Sequence, residues 1–286
     1  MKYSYVVENF LRYLESIDRS LETIIGYKKE LGYFGDYLMD KYSIEKDIHE
    51  ISLEDLEEYM YLIKLKGKMS STRNRVIYIF RSLYNYAYRR EICYKQLPLF
   101  IEPIKVKQNE RFFLSEKQVE ELFNNIDKPL LKAAIQTIFY TGMRVSELIN
   151  LQVGDLDMNS RLLYIVNGKG KKDRIIPISQ KLYIIIKDYM ENIRPDIESN
   201  NLFCTKKSGS LSSQYINAAL KRAQEPLGLK QRVSAHILRH SFASSLIKAN
   251  VPLPYLQKLL GHADLRVTSV YIHQNIDELR GAIELL

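Results

Sequence analysis

Along the first ninety residues, apolar side chains recur at steps of three and four, the period of helices that bury one face. The pattern predicts four helices, over 3–16, 20–41, 53–66 and 71–91. The second opens at Asp18/Ser20 with Glu22 close behind, and the third opens with a capping-box spacing from Ser52 to Asp55. In the fourth, Val76, Ile79, Phe80, Leu83 and Ala87 form an apolar stripe, while Arg75, Tyr78, Ser82, Asn85 and Arg89 share the opposite face. Residues 92–112 break the period with Pro98 and Pro103 and read as a linker. Helical spacing returns at SEKQVEELFNNI from Ser115 and at KPLLKAAIQTIFY, with Pro129 suited to a first turn and Gly142 as a stop. The string RLLYIVNGKGKKDRIIPIS then alternates apolar and polar about a Gly-containing turn, the signature of a β-hairpin with lysines at its tip. Further helices are expected at about 179–193, 212–225, 234–249, 252–260 and 275–285. The fold class is therefore mostly α in two domains. Residues 1–95 form a four-helix domain, 96–112 a linker, and 113–286 an α+β domain with a small antiparallel sheet and a tail helix.

Composition changes this picture little. A chain of 286 residues suits two modest domains, and 46% hydrophobic with 27% charged residues is ordinary for a globular protein. No apolar run approaches the ~18–20 residues that span a bilayer. The N-terminus lacks the apolar core and cleavage site of a signal peptide, so a cytoplasmic protein without a membrane partner is expected. Cys93 and Cys204 lie far apart without metal-ligand spacing.

Charge adds more. The net +8 favours a polyanionic partner, and its distribution is uneven. Residues 1–60 carry seven basic and fourteen acidic side chains, whereas 61–90 carry eight basic and none acidic: Lys64, Lys66, Lys68, Arg73, Arg75, Arg81, Arg89 and Arg90. Such a run often marks a solvated face. Here the stripe of Arg75, Tyr78, Ser82, Asn85 and Arg89 places cations at both ends and hydrogen-bonding groups between, which suits a helix laid against double-stranded DNA.

Candidate chemistry concentrates toward the C-terminus, where four of the five histidines lie from position 236 onward. His236 and Arg239 stand at i and i+3 on one helix face, so both can reach one phosphate. His240 at i+4 from His236 raises a zinc alternative, but no third ligand is evident, and neither a metal nor a cofactor is expected. Arg144 follows the Gly142 stop and could bind a phosphate or simply pair with Glu147. The lysine-rich turn lacks the GxxxxGK[ST] spacing of a nucleotide-binding loop. With 21 tyrosines in the chain, composition singles out none; Tyr255 lies in an apolar pattern and is expected to pack.

Taken in order, GMRVSEL (142–148), GKGKK (168–172), HILRHSFA (236–243), LLGH (259–262) and a tyrosine nine residues later resemble the tyrosine recombinase family over roughly residues 110–275. The N-terminal part fits that family's SAM-like core-binding domain more loosely. Ala235 stands where proline is frequent, and Asn250 where glycine is common; neither touches the implied chemistry. The resemblance implies that Arg144 and Arg239 bind the scissile phosphate, with Glu147 buttressing Arg144. It implies that Lys169 protonates the leaving group, with Lys171 and Lys172 as neighbouring DNA contacts. His236 and His262 would bond the phosphate, and Tyr271 would be the nucleophile.

By the same resemblance the working unit is a homotetramer on two DNA sites, linked by exchange of the tail stripe Ile276, Leu279, Ile283 and Leu286. A second recombinase or an accessory protein is a further expected partner. A chain that opens almost at once on its first helix looks Xer-like, and dimer resolution is the expected role. A mobile-element integrase or invertase, a type IB topoisomerase-like enzyme and a non-catalytic DNA-binding protein are the alternatives.

Overall fold

The computed structural model describes residues 1–106, 112–166 and 173–261. The chain divides into two compact units, Met1–Asn109 and Glu110–Leu286. Expectations for Lys169, Lys171, Lys172, His262, Tyr271 and the tail helix at 275–285 lie outside the described residues.

The first unit contains α1 (Tyr3–Ser16), α2 (Leu21–Tyr42), α3 (Leu53–Leu65) and α4 (Ser70–Arg89). The local signals act as expected. Ser20 caps α2, its hydroxyl accepting from the Thr23 N–H, and Ser52 and Asp55 close a reciprocal capping box on α3. Asp55 is buried, and its carboxylate also accepts from Lys41 Nζ at 2.8 Å and the Tyr42 hydroxyl at 2.6 Å, tying the end of α2 to the start of α3. The core is rich in aromatic rings. Phe34 sits against Phe80 and Tyr59 with centroids 4.8 and 5.1 Å apart, so several of the abundant tyrosines are structural.

Helix α4 buries Val76, Ile79, Phe80, Leu83 and Ala87, the stripe expected from spacing. Its flank is also used. Arg81 donates to the carbonyls of Pro98 (3.1 Å) and Ile101 (2.8 Å), and Asn74 exchanges two hydrogen bonds with the Ile104 backbone. The start of the expected linker therefore runs back along α4, and Arg81 is spent on holding it there.

In the second unit, α5 (Glu116–Asn124) and α6 (Pro129–Thr141) are followed by α7 (Val145–Asn150). A three-stranded antiparallel sheet comes next: β1 (Leu156–Asp157), β2 (Leu162–Ile165) and β3 (Arg174–Pro177), in that order. The expected hairpin is β2–β3, with Leu163 opposite Ile176 and Ile165 opposite Arg174. α8 (Gln180–Asp188) continues into a π turn at Tyr189–Ile193, and α9 (Ser213–Gln224), α10 (Ala235–Lys248) and α11 (Leu253–Leu260) complete the described part. Spacing gave no sign of α7 or β1. Six and two residues are too short to establish a period.

Helix α6 is the axis of this unit, buried from Leu131 to Thr141 on nearly every side, with α8, α9 and α10 packed around it. Thr137 and Thr141 are accommodated there because their hydroxyls donate to the carbonyls of Ala133 and Thr137. α11 packs on α10 through Leu256, Leu260 and Ala243.

At the end of α6, Gly142 adopts φ +63°, and a Cβ placed there would fall against the Phe242 ring of α10. Both the left-handed backbone and the close approach require glycine. Gly142→Ala should therefore lower the unfolding free energy of the second unit by about 3 kcal/mol, read by urea denaturation of the full chain. A loss under about 0.5 kcal/mol would show that Phe242 moves aside freely.

Candidate active site

The turn at Gly142 fixes where Arg144 stands. Arg144 precedes α7 in extended conformation, and its backbone N–H donates to Glu147 Oε2 at 2.7 Å. Its guanidinium Nη1 donates to Glu147 Oε1 at 2.8 Å, while the side chain remains 20% exposed. The pairing anticipated from the i,i+3 spacing is thus present, and it aims the arginine without burying it.

Glu147 has a second and more deeply buried partner. Arg174, on β3, donates from Nη1 to Oε1 at 2.9 Å and from Nη2 to Oε2 at 2.7 Å, a bidentate fork. The Arg174 side chain is 8% exposed and that of Glu147 6%. Burial is the largest single influence on this carboxyl and would raise its pKa. The Arg174 bonds and charge and the Arg144 N–H and guanidinium together outweigh it, holding the pKa at about 2 against an ordinary 4.5.

Two arginines also close the end of α11. Arg174 Nε donates to the Leu259 carbonyl at 2.9 Å, and Arg239 Nη2 to the Leu260 carbonyl at 2.7 Å. The last carbonyls of a helix have no place in its own ladder, and cationic donors satisfy them and oppose the helix dipole. Arg239 is buried on α10, and its Nη1 donates to the Gly142 carbonyl at 2.6 Å. One guanidinium therefore joins the turn that carries Arg144 to the turn that leads toward His262. His236, on the same helix as Arg239, is solvent-accessible. Its pKa is nevertheless lowered, by partial desolvation first and then by the charges of Arg239 and Arg144. Those charges bring the three side chains into one electrostatic neighbourhood, with the imidazole held toward its neutral form.

On the first unit, Arg75, Tyr78, Asn85 and Arg89 are exposed and Ser82 is half-buried, so the expected stripe of α4 faces solvent. At its C-terminal end a hollow of about 230 Å³ is lined by Arg19, Ser82, Asn85, Arg89 and Arg90 together with an equal number of apolar and aromatic side chains from α1, its C-cap and α4. Arg75 stands 3.9 Å from Glu30, a loose pairing at an exposed surface.

Comparison with known proteins agrees with the motif order. Residues 112–278 match the phage integrase family, and residues 7–91 match the phage integrase N-terminal SAM-like domain. The chain belongs to the tyrosine recombinases of the phage integrase family. It is 31% identical to a tyrosine recombinase of Thermosipho africanus, over 98% of this chain and 99% of that protein. It is also 31% identical to the tyrosine recombinase XerD of Oceanobacillus iheyensis, over 94% of this chain and 93% of that one. With the XerC of Pelotomaculum thermopropionicum it shares 30%, over 96% and 95%. Among solved structures, the Tn1549 transposon integrase in complex with transposon right end DNA shares the fold, with a TM-score of 0.81 at 20% identity over 100% and 99% of the two chains. A lambda integrase tetramer bound to a Holliday junction aligns with a TM-score of 0.78 at 16% identity, over 96% and 81%. The two-domain, mostly helical recombinase architecture with a small antiparallel sheet is thereby shown, and with it a site-specific recombinase enzyme.

Of the residues singled out for this recombinase, the structure brings Arg144, Glu147, His236 and Arg239 together. Tyr255 departs from expectation: it is 61% exposed, because α11 turns Leu256 and Leu260 inward and leaves Tyr255 on the other side. His240 is half-buried. Sequence reasoning missed Arg174. The available signal was its phase in β3, where it shares a face with the buried Ile176 while Ile175 and Pro177 point outward. A cation at an inward position of a strand needs a buried partner.

The depressed pKa of Glu147 has a signed consequence. A carboxyl lowered on folding contributes stability that is present above about pH 4.5 and is lost as pH falls through about 2. The difference corresponds to about 3 kcal/mol. Glu147→Gln should thus destabilise the protein at pH 7, with the gap to wild type closing between pH 4.5 and 2. Denaturant melts across that range measure it, and a gap independent of pH would refute the ionic account.

Proposed function

We propose that this recombinase cuts and rejoins double-stranded DNA at a specific site, with Tyr271 as nucleophile and the Arg144–His236–Arg239 cluster holding the scissile phosphate. The observation that carries the proposal is the turn at Gly142: Arg239 donates to its carbonyl, Arg144 stands two residues further on, and the charges of both act on the accessible imidazole of His236. Attack on a phosphodiester builds negative charge on the nonbridging oxygens, and fixed arginines lower the cost of that charge. A free phenol has a pKa of about 10 and is a poor nucleophile at neutral pH; neighbouring cations favour its ionised form.

The tyrosine oxygen bonds to phosphorus, the bond to the 5′ oxygen breaks, and Lys169 supplies the proton to that oxygen. His236 and His262 hydrogen-bond the phosphate. The 5′ hydroxyl of a partner duplex then attacks the 3′-phosphotyrosyl link and releases Tyr271. Phosphodiester bonds are conserved in number across the two steps, so the balance calls for no nucleotide hydrolysis.

Around this chemistry we place DNA along the α4 stripe (Arg75, Tyr78, Ser82, Asn85, Arg89) and at Lys171 and Lys172. Four protomers work on two sites, linked through the tail stripe of Ile276, Leu279, Ile283 and Leu286. The lambda integrase tetramer on a Holliday junction supports that assembly by likeness. The relatives named XerC and XerD support resolution of chromosome or plasmid dimers in the cytoplasm as the role. A partner recombinase or accessory protein fits the same reading.

Covalent capture tests the core of this reading. Wild type and Tyr271→Phe are incubated with fragmented host DNA in EDTA, denatured in SDS, and the attached fragments sequenced. Adducts at one site with wild type alone are expected. A site near the replication terminus supports dimer resolution, and one at an element boundary replaces it with integration; scattered adducts would favour a topoisomerase. Mass measurement of assemblies on the recovered duplex reads the two surfaces. Arg89→Ala should weaken binding and reduce the salt slope by about 1. Removing 275–286 should leave single protomers bound and abolish the four-protomer species.

A further inference from the structure

We propose that Arg174 is a positioning residue for strand cleavage, which fixes Arg144 through Glu147 and fixes the turn after α11 through the Leu259 carbonyl. The inference rests on the recombinase reading above. It adds a residue that neither the motif order nor the proposed chemistry includes.

Three observations carry it. The Arg174 guanidinium makes three bonds to two separate elements, two to the Glu147 carboxylate of α7 and one to the last turn of α11. The backbone of the following turn lies directly on it. Gly261 adopts φ +63°, and a Cβ there would stand 3.0 Å from Arg174 Cδ and 3.1 Å from its Nη1. Finally, Arg174 is almost fully buried while Arg144, on the same carboxylate, is not. The inner arginine neutralises and orients the carboxylate, and the outer one is aimed by it toward solvent, where a phosphate can approach. Arg174 thus acts through Arg144 and through the segment that continues into His262, without touching DNA itself.

Lysine cannot replace it. An ammonium keeps the charge but lacks the planar fork that spans two carboxylate oxygens and a carbonyl at once. Without the fork, Glu147 is held by Arg144 alone, and the pair loses its anchor to β3.

The test compares Arg174→Lys and Arg174→Met with wild type in the full chain. The substrate is the duplex recovered by adduct capture, made with either a normal phosphodiester or a neutral methylphosphonate at the cleaved position. A methylphosphonate develops less negative charge, so a misplaced arginine costs less there. Both variants should fold and bind the duplex within about threefold of wild type. Their single-turnover cleavage should fall about 100-fold on the phosphodiester and under about fivefold on the methylphosphonate.

Equal losses on the two substrates would overturn the proposal, since a general weakening of the fold does not distinguish them. Cleavage at the wild-type rate would also overturn it. So would failure of both variants to fold, which would make Arg174 a stability residue only. Wild type that forms no adduct while Tyr271→Phe behaves identically would sink the recombinase reading itself, and this inference with it. Wild type that cleaves while the variants keep pace sinks the inference alone.

Discussion

Glu147 keeps its charge in a place from which water is nearly excluded, because two guanidinium groups and one amide N–H converge on its two oxygens. Breaking such a pair by removing one partner leaves an uncompensated buried charge and is far more costly than losing a surface pair. Much of the second unit's arrangement follows from that constraint. α7 must begin where Arg144 begins, β3 must present Arg174 inward, and α11 must end within reach of the same guanidinium.

The local charge balance is deliberately uneven. Among the described residues, Arg144, Arg174 and Arg239 bring three positive charges to the one buried carboxylate of Glu147. The surplus is spread by hydrogen bonds to the carbonyls of Gly142, Leu259 and Leu260, whose dipoles point at the cations. Backbone thus does the work that further carboxylates would otherwise do, and it does so without cancelling the field. The result is a fixed positive potential that also presses on His236. A site built this way favours a bound anion whatever its sequence context, since contacts to a phosphate carry no sequence information.

The parts legible in the sequence are those with local causes. Helix starts at Ser20, Ser52 and Ser115 carry their own capping partners, and the α6 stop at Gly142 is written in one residue. The grouping of Arg144 with Glu147 followed from i,i+3 spacing, and His236 with Arg239 from theirs. What was hidden depends on distant segments. Arg174 reads as one more cation in a basic string until β3 turns it inward onto a carboxylate 27 residues earlier. Arg81 belongs to a positive block in the sequence, yet packing commits it to two backbone carbonyls. Tyr255 sits among apolar residues, but a helix of eight residues has one buried face, and Tyr255 is not on it.

The two backbone bonds of Arg239 have an evolutionary edge. Because it bridges the Gly142 and Leu260 carbonyls, selection for a folded domain preserves it even after the chemistry is abandoned. The same holds for Glu147 and Arg174, whose pairing is interior. In a lineage drifting from recombinase to mere DNA binder, these three would be the last letters to fade. His236, exposed to solvent, and Arg144, still partly exposed, would go before them. A chain that retains Arg144 and His236 along with the interior set therefore keeps two side chains beyond those its interior depends on.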